Sequence, residues 1–269
     1  FIYNVGGVFT LAENKIVDFG GRNLITQGGL IANLESYPIN SVFGLQYDGR
    51  IQTEEQRQKY LDTYNVGNGI GLSSAIRVGD NMYKDVNGDG VLNYDDLVYL
   101  GTDNPKVSYS FNAGAGYKGF DLSVIFQGAG GRTTFRDDVN WRQPFRSVYL
   151  NTTNQSVGNH WTPENTGAHF PKYSTNGTIN TYNYQASSWS VENGAYLRLK
   201  NIVLGYTLPE SLIGSMKAFS RLRVYVAGQD LWEVTHINDG WDPEATRTVS
   251  AAQRYPFSRS FTAGINATF

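Results

Sequence analysis

The chain has no cysteine, which removes disulfides, thiolate metal sites and cysteine nucleophiles together. Charge is scarce as well. Lys and Arg number 22 against 24 Asp and Glu, and charged residues make up only 17% of the chain. No basic field therefore exists to gather nucleic acid, and no run of like charge marks a tail. No stretch approaches about 18 consecutive apolar residues, which excludes a transmembrane helix but not a transmembrane barrel, whose strands need only about ten alternating residues. The three histidines, His160, His169 and His236, follow no metal or triad spacing, and no glycine-rich run lies between a strand and a helix to hold phosphate. The acidic pairs Asp95-Asp96 and Asp137-Asp138 are neighbours in sequence, which does not aim them at one site. An enzyme is not expected.

What the chain does have is aromatic residues and glycine. Eighteen Tyr, 14 Phe and 5 Trp make 14% of the 269 residues, alongside 30 Gly, a composition of strands and loops. In FSRSFTAGINATF, Phe257, Phe261, Ala263, Ile265, Ala267 and Phe269 alternate with small or polar residues, Arg259 being the exception. Ordinary soluble strands run about five or six residues, so alternation of this length fits a strand with one face to lipid and one to a wet lumen. Val107 to Tyr117 alternates on odd positions, and after Lys118-Gly119 the pattern resumes on Phe120, Leu122, Val124 and Phe126. Residues flanking a two-residue hairpin turn share a face, so this change of parity predicts a hairpin and keeps both apolar sets together. In AYLRLKNIVLGYTL the phase flips near Asn201, which predicts either a bulge or a crossing from a loop environment into membrane. The same alternation would suit the rival reading, a soluble or surface carbohydrate-binding β-sandwich, provided the apolar faces turned inward against a second sheet.

Eight to ten strands are expected, separated by two long stretches without strand periodicity, Asp48 to Asn104 and Arg132 to Ser187. The first holds DVNGDGVLNYDD. Asp85, Asn87, Asp89, the Val91 carbonyl, Asn93 and Asp96 stand nearly at the ligand positions of an EF-hand loop, with Gly90 at the sharp turn. A hard cation such as calcium fits that oxygen set, although Asp96 is shorter than the usual bidentate Glu and a turn binding nothing uses the same residues. The expected role is to pin a loop too long and polar to hold its shape by burial. Trp141, Trp161, Tyr173, Tyr182, Tyr184 and Trp189, in or beside the second stretch, are candidates to stack on a substrate, or else to pack the loop. The opening FIYNVGGVFTL alternates from its first residue, so the chain is expected to be a fragment that starts inside a strand.

The order of Pro38-Ile39, VFGLQYDGRIQTEEQ, GDNMYKDVNGDGVLNYDD, GYKGFDLSVIFQGAGG, HWTPENTGAHFP, ENGAYLRLKNIVLGYTLP, LRVYVAGQDLW and FTAGINATF resembles the carboxyl-terminal portion of SusC/RagA-type TonB-dependent outer-membrane transporters of the Bacteroidota. The resemblance runs from about Tyr37 to Phe269. It implies an all-β fold, part of a large antiparallel transmembrane β-barrel of about 22 strands with long extracellular loops. It also implies an outer-membrane location in contact with lipid, a plug domain and TonB-contacting region upstream, and a SusD-like surface lipoprotein as lid. The cargo it implies is an oligosaccharide or peptide. A piece of the wall would not transport alone.

Overall fold

The computed structural model describes residues 1–21, 24–25, 31–66, 70–71, 73–135, 156–214, 219–237, 241–245 and 258–269. Six long strands dominate: β1 (Ile2–Leu11), β2 (Val107–Tyr117), β3 (Phe120–Gly130), β4 (Tyr196–Thr207), β5 (Arg221–Thr235) and β6 (Ser260–Thr268). They pair in that order into one antiparallel sheet. Strands of 9 to 15 residues are long for a soluble domain and suited to crossing a bilayer at a tilt.

Register explains the alternation. One cross-strand row reads Tyr3, Ala115, Leu122, Leu204, Val226, Ala263, apolar from edge to edge. A row on the opposite face reads Gly6, Asn112, Ile125, Asn201, Gln229, Ser260, mostly polar or small. On the apolar face Phe261 is 79% exposed, Ile265 68% and Val226 56%, so these side chains are not sandwiched beneath a second sheet. That overturns the β-sandwich alternative, whose stability would depend on burying this face.

The hairpin forms where the parity change places it. Tyr117 pairs with Phe120, and Lys118 and Gly119 sit at φ 48° and 88°, the two left-handed positions of a type I′ turn. The expected bulge is also present: the register shifts between Ile125 and Phe126 on one side of β4, and between Leu199 and Asn201 on the other. Lys200 is the residue skipped, which returns Leu197 and Leu199 to the apolar face shared by Ile202 and Leu204. Between β4 and β5 the chain makes a short connection with one helical turn, Glu210–Ile213, led by Pro209.

Both short connections, 118–119 and 208–220, lie at one end of the sheet, and the other three, 12–106, 131–195 and 236–259, at the opposite end. The long excursions are therefore wider than the two the sequence suggested, and there are three of them. After β1 the Ala12 N–H donates to the Lys106 carbonyl and that of Ile16 to the Tyr37 carbonyl, so the chain continues outward. Six strands build the wall and the other described strands are short pieces within the long connections, where the expectation of eight to ten counted one population.

The long connections build a core of their own. Leu45, Ile51, Ile70, Ile76 and Leu92 are at most 2% exposed, and pack with Tyr60, Val66, Met82, Tyr83 and Tyr182. Helix α1 (Glu54–Thr63) lines this core through Tyr60, and its start is fixed by Thr53, whose hydroxyl accepts from the Gln56 N–H while Gln56 accepts from the Gln52 N–H. Each fully buried Leu or Ile contributes about 1.5–3 kcal/mol. The stretch Asp48 to Asn104 thus holds its shape by burial, contrary to the expectation that it is too polar to do so. Its apolar residues are too irregularly spaced to show a face, but they converge once the chain folds on Tyr182 from the second connection.

Candidate functional site

The polar face of the wall and the layer formed by the long connections carry the polar and aromatic side chains that could form a site. On the wall, Arg223 of β5 forms a fork to Asp121 of β3, with Nε to Oδ1 at 2.8 Å, and lies over Tyr225 at 5.2 Å. Gly205 on the intervening β4 makes this possible, since a Cβ there would stand within 2.5 Å of the guanidinium. At the short-turn end of the apolar face, rings gather: Phe1 against Tyr117 at 6.3 Å and Phe120 against Tyr206 at 4.5 Å. Such a belt is what a membrane interface selects.

Within the layer, buried hydrogen bonds bind the first two long connections into one body. Asn81 donates two bonds of 2.8 Å to Asn183, from its backbone N–H to Oδ1 and from Nδ2 to the carbonyl, and Asn183 Nδ2 donates to Asp80 at 2.7 Å. Arg50, 7% exposed, donates to the carbonyls of Ala168 and His169 and to Asn81. Leu45 N–H donates to the Ala186 carbonyl, and Ser188 N–H returns to Leu45. Tyr182 hydroxyl donates to the Asn81 carbonyl at 2.8 Å and meets the Tyr60 hydroxyl at 3.0 Å. Burial raises the proton affinity of these phenols, pushing Tyr60 up to about 12 and Tyr182 well above its ordinary value. They stay neutral and serve as hydrogen-bond fixtures.

The candidate substrate residues separate accordingly. Tyr182 is 1% exposed and Tyr184 is buried against Phe170 and Trp189, so neither offers a ring face to a ligand. Trp161 is buried too: its indole N–H donates to Gln52 at 2.7 Å, Lys172 lies over the ring, and a Cβ on Gly79 would strike it. These three are packing residues, a correction to the stacking expectation with a plain cause: strong apolar area in a long connection is used to close that connection. Trp189 is half-buried beside His169. Tyr173, 40% exposed, lies on His160 at 3.4 Å and borders a depression of about 730 Å³ shared with Arg77, Asn176 and Ile179. Trp141 lies outside the described residues.

At 85–96 the side chains serve the loop's own backbone. Asp85 accepts from Gly88 and Gly90, Asp89 from Val91, and Asn87 from Asp89. Buried Asp96 accepts from Val86 at 2.8 Å and from Asn93 at 3.0 Å, while Asn93 caps the single turn Tyr94–Asp96. The donor chemistry suits a hard cation, yet among the described residues no three or more His, Cys, Asp or Glu side chains converge on one position.

Two histidines lie beside Arg50, His160 buried and His169 at the surface. His160 hydrogen-bonds the Pro171 carbonyl through Nδ1 at 2.9 Å, and burial, with Arg50 nearby, holds its pKa below the ordinary value; His169 is lowered for the same reasons. Arg50, Asn81 and Asn183 were not singled out from sequence; polar partners about 100 residues apart leave no local signal.

No protein-family model matches the chain. Over 96% of its length it is 30% identical to TonB-dependent receptor P26 of Formosa agariphila, and over 87% it is 30% identical to TonB-dependent receptor P3 of the same organism. The chain spans about a quarter of these relatives, 26% and 22%. It superposes with a TM-score of 0.70 on the RagAB peptide transporter at 25% identity, covering 99% of this chain and 27% of that one. A TM-score of 0.67 and 25% identity relate it to the RagAB peptide importer in its closed-closed state, with the same coverage.

Proposed function

As the chain belongs with the RagA-type TonB-dependent receptors, about a quarter of whose length it spans, we propose that the protein imports nutrient molecules across an outer membrane. The observation that carries this reading is the six-strand sheet with one apolar face exposed along every strand and all long connections gathered at one end. Such a sheet is stable when acyl chains cover the apolar side, the polar side faces a lumen, and the layered end stands outside the cell. The wall is part of a barrel of about 22 strands, and a TonB complex supplies the energy through a region upstream.

The cargo in this proposal is a peptide or an oligosaccharide. RagAB is a peptide transporter, and its likeness to this chain speaks for a peptide; Tyr173 and Trp189, the accessible rings, suit either by stacking. A SusD-like surface lipoprotein is the proposed lid, seated on the rigid layer above the lumen. The loop 85–96 is proposed to take up calcium through Asp85, Asn87, Asp89, the Val91 carbonyl, Asn93 and Asp96. A strain lacking the gene should lose TonB-dependent uptake of one of these cargo classes; unchanged uptake of both would refute the proposal.

A further inference from the structure

The third long connection includes Trp241 to Ala245, and this segment is held against the polar side of the wall by two buried arginines, one from a wall strand and one from the second long connection. Arg198 of β4, 1% exposed, points to the polar side because its neighbours Leu197 and Leu199 occupy the apolar one. Its guanidinium forms a fork to Glu233 on β5, with Nη2 at 2.7 Å, and reaches the segment at Asp242 (2.8 Å) and Glu244 (3.2 Å). Lys200, the bulged residue of β4, adds a second cation to Glu244 at 2.9 Å. From the opposite side Arg132, 5% exposed in its side chain and fixed by Asp103, donates to the carbonyls of Pro243 and Ala245. The segment is itself a closed turn: Ala245 N–H donates to the Asp242 carbonyl and Glu244 N–H to the Asp242 carboxylate.

A forked arginine matches two carboxylates at fixed angles, which a mobile loop cannot keep satisfied. Release of the segment would leave Arg198 with Glu233 alone and Lys200 with Asp230 alone, so the arrangement favours the inward position over a detached one. We propose that Arg132 and Arg198 are positioning residues that fix residues 241–245 as a permanent part of the mouth on the polar side of the wall, and that this inward turn limits the size of the cargo that passes. The second half of the proposal rests on the import reading above.

The test uses the full-length protein in outer-membrane vesicles and two variants. Arg198→Lys keeps the charge but not the fork; Asp242→Asn combined with Glu244→Gln leaves Arg198 paired to Glu233 and so preserves the wall if the first variant fails to fold. Amide exchange in 241–245 should quicken about tenfold or more in both, and cargo too large for the unaltered protein should begin to enter. Asp121→Asn, which breaks an ion pair elsewhere on the same face, should change neither. Unchanged exchange in both variants would overturn the clasp, and faster exchange with an unchanged size limit would overturn its role in selection. If the unaltered protein takes up no cargo, the import reading fails and the size limit with it, while the exchange result still decides the clasp.

Discussion

At the residue scale, the polar groups of the outer layer act mainly by holding backbone, which gives their chemistry a sign. Loss of hydration and the nearby Arg50 lower the pKa of His160, which is buried, and that of His169. An unfolded histidine takes a proton near pH 6.5, a folded one here only at lower pH, so the layer has full stability above that value and loses it as pH falls toward the depressed folded values. Protection factors across 156–173, with the chemical exchange rate at each pH divided out, should therefore be lower at pH 5.5 than at 7.5 while those of β2 and β3 are unchanged; equal protection at both values would contradict the burial argument. Tyr182→Phe removes one hydroxyl from two buried partners and should cost the layer about 1–3 kcal/mol, read as a shift in local unfolding with urea. The proposed calcium loop makes a separable prediction. Because Asp96 already caps Val86 and Asn93, and the core holds the rest, chelation should alter protease sensitivity at 85–96 alone. Heat-detected calcium binding that vanishes in Asp85→Ala with Asp89→Ala supports the site; no binding by the unaltered protein removes it.

At the scale of elements, the strands of the wall were legible and the layer was not, for one reason. A strand with two different solvents on its two faces must alternate at every residue, so Val107 to Phe126 displayed its length, its turn and its parity change in the sequence, and Asn201 displayed the bulge. The layer buries residues through contacts such as Tyr60 with Tyr182 or Asn81 with Asn183, which join chain positions about a hundred residues apart with no local period. That is why Tyr182, Tyr184 and Trp161 read as available rings and proved to be packing, and why the third connection left no local mark. The hairpin supplies the test at this scale. Gly119 has φ 88°, and a Cβ there would lie 2.7 Å from the Thr207 carbonyl oxygen. Gly119→Val should therefore cost the turn about 1–2 kcal/mol from backbone conformation alone, and more from the clash. Slower assembly into the heat-resistant form on gels would register it, whereas wild-type assembly would show that the turn does not direct pairing.

At the scale of the whole molecule, wall and layer play different parts: a thin sheet that depends on its surroundings for stability, and a compact layer with its own core fixed at one end. No helix among the described residues is long and apolar enough to cross a membrane, which bears on helices only. The claim on which import, lid and mouth all depend is that Leu204, Val226 and Phe261 face acyl chains and that Ser123, Gln229 and Thr262, on the other side of the same strands, face water. Single cysteines at these six positions of the full-length protein, probed in intact outer membranes with a membrane-impermeant maleimide and a lipid-soluble one, measure this directly. The account predicts that the first three react only with the lipid-soluble reagent and the second three with the impermeant one when the lumen is open; impermeant labelling of Leu204→Cys, Val226→Cys and Phe261→Cys would contradict it.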